Sequence, residues 1–398
     1  MNDELRHHLK NTIYESRALP GSFFTSEEVL RAEKKYFFRD SWLCVGLVND
    51  VPESGDVYPL TIVDQPLLIV HDKGSTIRVF HNVCSHRGAQ LIEKNRRCTT
   101  IVCPYHAWSY ALDGELIQTP HVGGENIHEC AEINKAELGL KEVRSGIWAG
   151  LVFVNLSSEA GSFEDFIEPL NSRWQEIDFS ALEHVKELGQ RPQFNANWKL
   201  VIENFIESYH LPSVHQSMNS FNPMGDHYQI LGGESFIGQG VKGHKPGDGY
   251  AGKFLTFPNL NPDEYGNGES MYLPGNLIII CMSDFFFVNI VTPVSPTVTT
   301  ERIEIFLIGD SATDPELQKD RQQLMDMLCL VNNEDIAICE SVQRGRSSDA
   351  FSGGAFAPIQ ETTTLHFQKL LAREILSRTD TSLTNLPVLA VEDIHHPE

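Results

Sequence analysis

The sequence predicts an α+β fold shared between a small all-β domain and a larger mixed domain. Two observations lead to that division. From about Trp42 to Leu156, short β-type runs follow one another, split by turn residues. After Gln190 the chain changes character, and helical periodicity alternates with longer apolar β runs. At 398 residues the chain is too long for one simple core and comfortable for two domains.

Taken in order, residues 26–39 (SEEVLRAEKKYFFR) open on Ser26, with Glu28 close behind, and carry the apolar spacing of a capped amphipathic helix. The runs VYPLTIVD, PLLIVHD, TIRVFHNV, TIVCPY and GLVFVNL then read as strands, punctuated by Asp72-Lys73-Gly74 and Asp113-Gly114. Residues 161–185 read as a helical link. A helix is expected near 197–210, capped by Asn197 and ended near Leu211 by Pro212. A Gly-, Asn- and Pro-rich stretch (219–275) reads as irregular. Strands follow at 276–281, 285–293 and 302–308, then a long helix from Asp314 to about Arg344. The expected boundaries are 1–40 for an N-terminal helical segment packing on the second domain, 41–156 for the β domain and 157–398 for the mixed domain.

Composition excludes several roles. A net charge of −23 disfavours nucleic acid and anionic membranes, which both select clustered Lys and Arg. The longest apolar stretches, LIIICM and FFFVNIV, are strand-sized, so no transmembrane helix is expected. The N-terminus MNDELRHHLKNTIYESR has no apolar h-region, which argues against secretion and for a cytoplasmic protein. Eight cysteines in such a chain read as core residues, metal ligands or reactive thiols rather than as a disulfide framework.

Two of them belong to a constellation. CSHRG places Cys84 and His86 two apart, and CPYH places Cys103 and His106 three apart, each pair in a turn after a β run. Cys₂His₂ also suits structural zinc, but zinc fingers usually keep like ligands together, whereas each pair here mixes one of each. Mixed pairs suit a Rieske [2Fe–2S] cluster, in which two Cys hold one iron and two His the other. Pro104, Tyr105, Ala107, Trp108 and Ser109 are expected to shield it. Cys98, Cys44, Cys130, Cys281, Cys329 and Cys339 lack partner spacing and read as small core residues.

A second constellation lies in ANWKLVIENFIESYHLPSVH (196–215). Glu207 and His210 are three apart and are expected on one helix face, with His215 brought back by the turn at Pro212. Two imidazoles with open positions suit Fe(II) or zinc, and a facial triad needs one carboxylate more. The long helix carries an expected inward stripe of Leu317, Arg321, Leu324, Leu328, Val331, Asp335, Ile338 and Val342. Asp335 falls among its aliphatics, where a metal would offset the cost of burial; the competing reading is a partly exposed acid beside Glu334.

Together these residues resemble the α subunits of Rieske non-haem iron oxygenases, from about residue 25 to 375. The match rests on CSHRG…CPYHAW and on NWKLVIENFIESYHLPSVH. The resemblance implies a Rieske domain joined to a helix-grip catalytic domain, an antiparallel sheet with helices. It implies that Cys84, His86, Cys103 and His106 bind the cluster and that His210, His215 and Asp335 bind a mononuclear Fe(II). It implies that Asn204 lies close to the iron and that Glu207 bridges to a Rieske histidine of the neighbouring subunit in a homotrimer. Electrons from NAD(P)H would reach the cluster through a separate flavin- or ferredoxin-type reductase and cross to the adjacent subunit's iron, where O₂ is the co-substrate. Glutamate at position 207, where most members have aspartate, and NEDIAICESVQRG (333–345) resemble the branch acting on quaternary ammonium compounds such as carnitine, betaines and choline. Hydroxylation next to nitrogen would then lead to C–N cleavage or N-demethylation; the alternative is an aromatic-ring hydroxylating dioxygenase α subunit. Phe221, Tyr228, Tyr272 and Phe285 are candidates for an aromatic cage around a cation. Lys94, Arg96 and Arg97 form a basic patch that is either a reductase dock or a solvated loop. A carrier holding only the cluster and a zinc protein remain rivals, to be separated by metal analysis.

Overall fold

A computed structural model describes residues 3–243, 245–250, 252–260, 267–380 and 386–395. The chain forms two compact units: Arg39–Phe163, and the segment through Phe38 together with the chain from Glu164 onward.

The smaller unit is built from three short antiparallel sheets. Asp56–Ile62, Gln65–His71 and Ile77–His81 form a meander. Its first turn is made by Val63 and Asp64, at φ +50° and +58°, where the sequence reads as strand, and its second falls at Asp72-Lys73-Gly74 as expected. Asp72 Oδ1 accepts hydrogen bonds from the amides of Gly74 (2.7 Å) and Thr76 (2.9 Å), which closes the second hairpin. Gly114 takes φ +92° in the Asp113-Gly114 turn, a conformation that glycine adopts without strain. Leu68, Phe80, Ile101, Trp108 and Tyr110 share its core with Cys84 and Cys103.

The larger unit carries a nine-stranded antiparallel sheet. Its strands at Leu277–Cys281, Phe285–Ser295 and Val298–Ile308 are the apolar runs of the sequence. Three others, His227–Gly232, Ile237–Lys242 and Asn267–Leu273, lie where the sequence reads as irregular. Their glycines mislead because neighbouring groups fill the missing side-chain space. A Cβ on Gly240 would meet the Tyr228 ring at 2.2 Å, and one on Gly238 would meet the Ser270 carbonyl at 2.0 Å. Residues 261–266 of that stretch lie outside the described ones. Register sets Gln239, Ser270, Ile280 and Phe287 abreast across four strands, on the sheet face that floors a cavity.

Helices cover that face. The expected helix 161–185 stops at Arg173; Leu182–His184 instead pairs with Val298–Ile308 at the sheet edge. The long helix runs Gln318–Arg346 after a 3₁₀ turn at Pro315–Leu317, with the Asp314 carboxylate capping the Glu316 amide. A second helix, Thr362–Thr379, packs on the N-terminal helix Asp3–Glu15. Ser26 caps Glu27–Glu33 as expected, and the chain continues as a π-turn over Lys34–Phe38. Among the described residues no helix is long and apolar enough to cross a membrane.

Candidate functional site

In the smaller unit, the two Cys/His loops share one backbone design. The amide of Cys84 donates to the Ala89 carbonyl and that of Cys103 to the Trp108 carbonyl, both at 2.8 Å. The amides of Gly88 and Ala107, each four residues after a cysteine, return to the Cys84 and Cys103 carbonyls at 3.0 Å. Both closing residues take left-handed backbone, φ +74° at Gly88 and +58° at Ala107. Such loops present side chains from two tips to one point.

The sulfurs lie inward and the imidazoles outward. Cys84 and Cys103 are 2% exposed, whereas His86 and His106 are exposed with ring centroids 4.7 Å apart. His86 stacks on the buried Trp108 at 4.6 Å. Burial pushes the Cys103 thiol up, while the backbone amides of Tyr105 and His106 oppose the shift by bonding its sulfur. The Tyr110 hydroxyl lies 3.2 Å from Cys84 Sγ. Two buried thiols met by hydrogen-bond donors, with two imidazoles at the rim, fit a cluster held by Cys₂ on one iron and His₂ on the other. The expected shield is only partly present in the chain: Trp108 and Ser109 are buried, but Pro104, Tyr105 and Ala107 are exposed. Of the remaining cysteines, Cys44, Cys281 and Cys339 are buried, and Cys98, Cys130 and Cys329 are half-buried.

In the larger unit, the expected helix ends early. It spans Trp198–Phe205, capped by Asn197, and the chain then turns through Ile206–His210 before one short helix, Leu211–Val214. Glu207 and His210 therefore do not share a helix face. The cause is local. Gln239 Nε2 donates to the Phe205 and Glu207 carbonyls (3.0 and 3.2 Å), satisfying a helix end that would otherwise continue. The Glu207 carboxylate accepts from the Tyr209 and His210 amides and holds His210 Nδ1 at 2.5 Å. Pro212 thus sits near the start of a new helix instead of ending the old one.

The donor atoms of His210, His215 and Asp335 lie within 4.8 Å of one another. Asp335 Oδ1 is 2.9 Å from His215 Nε2 and 3.7 Å from His210 Nε2. Each imidazole is held from behind through Nδ1, His210 by Glu207 and His215 by Glu334 at 2.7 Å. That leaves both Nε2 atoms facing Asp335, the carboxylate–histidine arrangement that fixes the tautomer of a metal ligand. Burial pushes the His215 pKa down, but hydrogen bonds and charge from Asp335 and Glu334 outweigh it and raise it. The site thus favours positive charge at its centre, and two imidazoles with one carboxylate fit Fe(II). Glu334 was invisible as a partner in the sequence, although the consecutive acids Glu334-Asp335 marked the place.

Asn204, His210, His215 and Asp335 line a cavity of about 160 Å³. Phe221 and Phe285 line it too, but Tyr228 and Tyr272 do not; both are buried, with the Tyr228 hydroxyl donating to Glu269 and that of Tyr272 to the Gly275 carbonyl. Glu207 lies behind His210 in a separate depression with Ile338, Val342 and Arg346. Beyond Asp335 the inward face of the long helix shifts by one position: Ile338 and Val342 stay 36–37% exposed, while Cys339 and Gln343 are buried. The basic patch is also reduced, because Arg97 pairs with Glu53 (2.7 Å) and Asp56 (2.9 Å).

Comparison with known proteins identifies both domains. Residues 174–377 match the family described as ring hydroxylating alpha subunit (catalytic domain), and residues 41–133 match the Rieske [2Fe-2S] domain. The chain is 26% identical to the carnitine monooxygenase oxygenase subunit of Escherichia coli K12, over 90% of this chain and 94% of that one. It is 25% identical to the glycine betaine monooxygenase oxygenase subunit of Pseudomonas aeruginosa, over 91% and 90%. The fold superposes on the quaternary ammonium Rieske monooxygenase CntA with a TM-score of 0.76 at 24% identity, covering 93% of this chain and 98% of that one.

Proposed function

The chain belongs to the ring-hydroxylating alpha-subunit family, and we propose that within it this protein is the oxygenase component of a monooxygenase for a small quaternary ammonium compound. It is an oxidoreductase that uses O₂ and carries a Rieske [2Fe–2S] cluster and a mononuclear iron. The cluster would be held by Cys84, His86, Cys103 and His106, and the iron by His210, His215 and Asp335. The observation that carries the reading is a two-histidine, one-carboxylate set opening into a cavity of small-molecule size. End-to-end likeness to carnitine and glycine betaine oxygenase subunits supports the substrate class over an aromatic ring.

When bound, the metal groups supply electron transfer and reductive activation of O₂ for C–H hydroxylation. The chain's own residues supply the setting. Glu207 and Glu334 fix the two imidazoles by their Nδ1 atoms, so that neither ring can rotate out of position. Asn204 and the apolar cavity wall position the substrate and exclude water from the reacting carbon. Glu207, behind His210, would hold and relay a proton; its contact with His210 Nδ1 supports that role. If the hydroxylated carbon adjoins nitrogen, the product breaks down by C–N cleavage.

The exposed His86 and His106 support assembly into a homotrimer in which a second copy covers them. A separate flavin- or ferredoxin-type reductase would deliver electrons from NAD(P)H. Eight cysteines without a disulfide support a cytoplasmic location.

The test is O₂ uptake by the reconstituted enzyme with a reductase, NADH and a substrate panel. Coupled uptake with carnitine, choline or a betaine is expected. Uptake with aromatic acids alone would replace this reading by a ring-hydroxylating dioxygenase.

A further inference from the structure

The cavity beside the iron-site residues contains a carboxylate that the chemistry above does not use. Glu301 lies on the strand Val298–Ile308, is 3% exposed and faces the cavity. Its two oxygens accept hydrogen bonds from Asn289 Nδ2 (2.6 Å) and Asn332 Nδ2 (3.1 Å). Among the described residues it has no cationic partner. Burial, opposed by the two amides, pushes its pKa up to about 7. Asn289 Oδ1, buried in the same wall, has no hydrogen-bond partner.

Such a group is costly to keep. A buried acid without a counter-ion destabilises a fold, and a well-packed aliphatic residue would serve the core better. Two amides hold the carboxylate in place, yet neither neutralises it. Around it the wall is aromatic and apolar, with Phe194, Phe285, Phe287 and Ile280. An ammonium bearing hydrogens would need several acceptors, whereas a fully methylated one asks only for negative charge and ring faces. Position matters as well. Asn332 precedes Asp335 by three residues, about one turn of the same helix, so Glu301 lies within one helical turn of the iron-site carboxylate.

We propose that Glu301, held by Asn289 and Asn332, is the counter-ion of the substrate's quaternary nitrogen and so directs the adjoining carbon toward His210, His215 and Asp335. This assignment rests on the substrate class proposed above and adds the residue that selects it. Glu301 is the discriminating residue for charge, and Phe285 and Phe287 offer ring faces to the methyl groups.

The experiment uses the reconstituted holoenzyme at pH 8. Choline, glycine betaine and L-carnitine are titrated by calorimetry beside the neutral-carbon isosteres 3,3-dimethylbutan-1-ol and 3,3-dimethylbutanoate. The wild type should bind at least one cation roughly tenfold or more tighter than its isostere. Glu301→Gln should reduce that preference to within about threefold, raise KM far more than it lowers kcat, and leave the cluster spectrum and iron content unchanged. Glu301→Asp should keep a measurable preference. A crystal structure of the wild type with the tightest-binding cation provides a check independent of any variant, with the nitrogen expected within about 5 Å of the carboxylate. Preference retained in Glu301→Gln, a nitrogen seated elsewhere, or no preference in the wild type overturns the assignment. The two readings fail separately: coupled oxidation of a quaternary compound with an unaltered preference in Glu301→Gln sinks only the Glu301 role. Oxidation of aromatic acids alone sinks the substrate class and the assignment with it.

Discussion

Glu334 and Asp335 grip opposite edges of one imidazole: Glu334 Oε2 lies 2.7 Å from His215 Nδ1, and Asp335 Oδ1 lies 2.9 Å from Nε2. Consecutive residues on a helix diverge by about 100°, so only a ring inserted between them can touch both. In the proposed iron site Asp335 would be the ligand and Glu334 would set the ring. Glu334→Gln should therefore weaken iron binding by about 10–100-fold, while Asp335→Ala should abolish it. Competition with a calibrated chelator measures both, and equal affinities in wild type and Glu334→Gln would exclude the orienting role.

Glu207 plays the corresponding part for His210, but its second oxygen also holds the Tyr209 and His210 amides. Glu207→Gln keeps the size of the side chain and removes its charge. Iron affinity should fall as for Glu334→Gln, and with both metal sites saturated coupled turnover should still fall at least about tenfold. Unchanged turnover in a metal-replete variant would remove Glu207 from the pathway.

The N-terminal segment is tied to the catalytic unit by a fully buried ion pair. Lys199 Nζ lies 2.6 Å from Glu33 Oε1, and Trp198 Nε1 donates to Oε2 of the same carboxylate at 2.8 Å. Lys199→Met should destabilise the protein by about 3–5 kcal/mol, because it strands a buried charge. Lys199→Met combined with Glu33→Leu should recover most of that loss. Urea denaturation of the two variants tests the coupling.

Two acids on one strand titrate in opposite directions because they face opposite sides. Burial raises Glu304, but His184, Arg302 and Arg191 outweigh it and hold it down to about 2. A depressed carboxyl stabilises the fold above its ordinary value of 4.5, and the contribution disappears as pH falls toward 2. Glu304→Gln should cost roughly 2–3 kcal/mol at pH 7 and little near pH 2. Glu301 is raised to about 7, so between 4.5 and 7 the folded state holds the proton more tightly and stability falls as pH rises. In protein stripped of its mononuclear iron, Glu301→Gln should gain about 1–3 kcal/mol at pH 8 and nothing near pH 4. Melting temperatures across pH read both signs.

Ala107 closes the second cluster loop with φ +58°, where an L side chain is strained and the matching position of the first loop is Gly88. Ala107→Gly should stabilise the smaller unit by up to about 1 kcal/mol. A loss of stability in thermal unfolding of the cluster-loaded protein would show that the alanine methyl makes a compensating contact.

The sequence by itself determined the groups that converge at each site. Metal chemistry tolerates few side chains, so Cys84/His86, Cys103/His106 and His210/His215 announce themselves by type and spacing. Turn residues such as Asp72 and Gly114, and the strands 277–281 and 285–295, were legible because local sterics and alternation settle them. Tertiary structure alone decided the rest. Asp335 reaches His215 across 120 positions, and no local period encodes that meeting. Gln239, from a strand, ends the helix before Glu207; Tyr228 fills the space that lets Gly240 sit in a strand; and Glu301, Asn289 and Asn332 meet only because sheet register and one long helix bring them together. Contacts distant in sequence arise from packing, which apolar pattern constrains to a face but not to a partner.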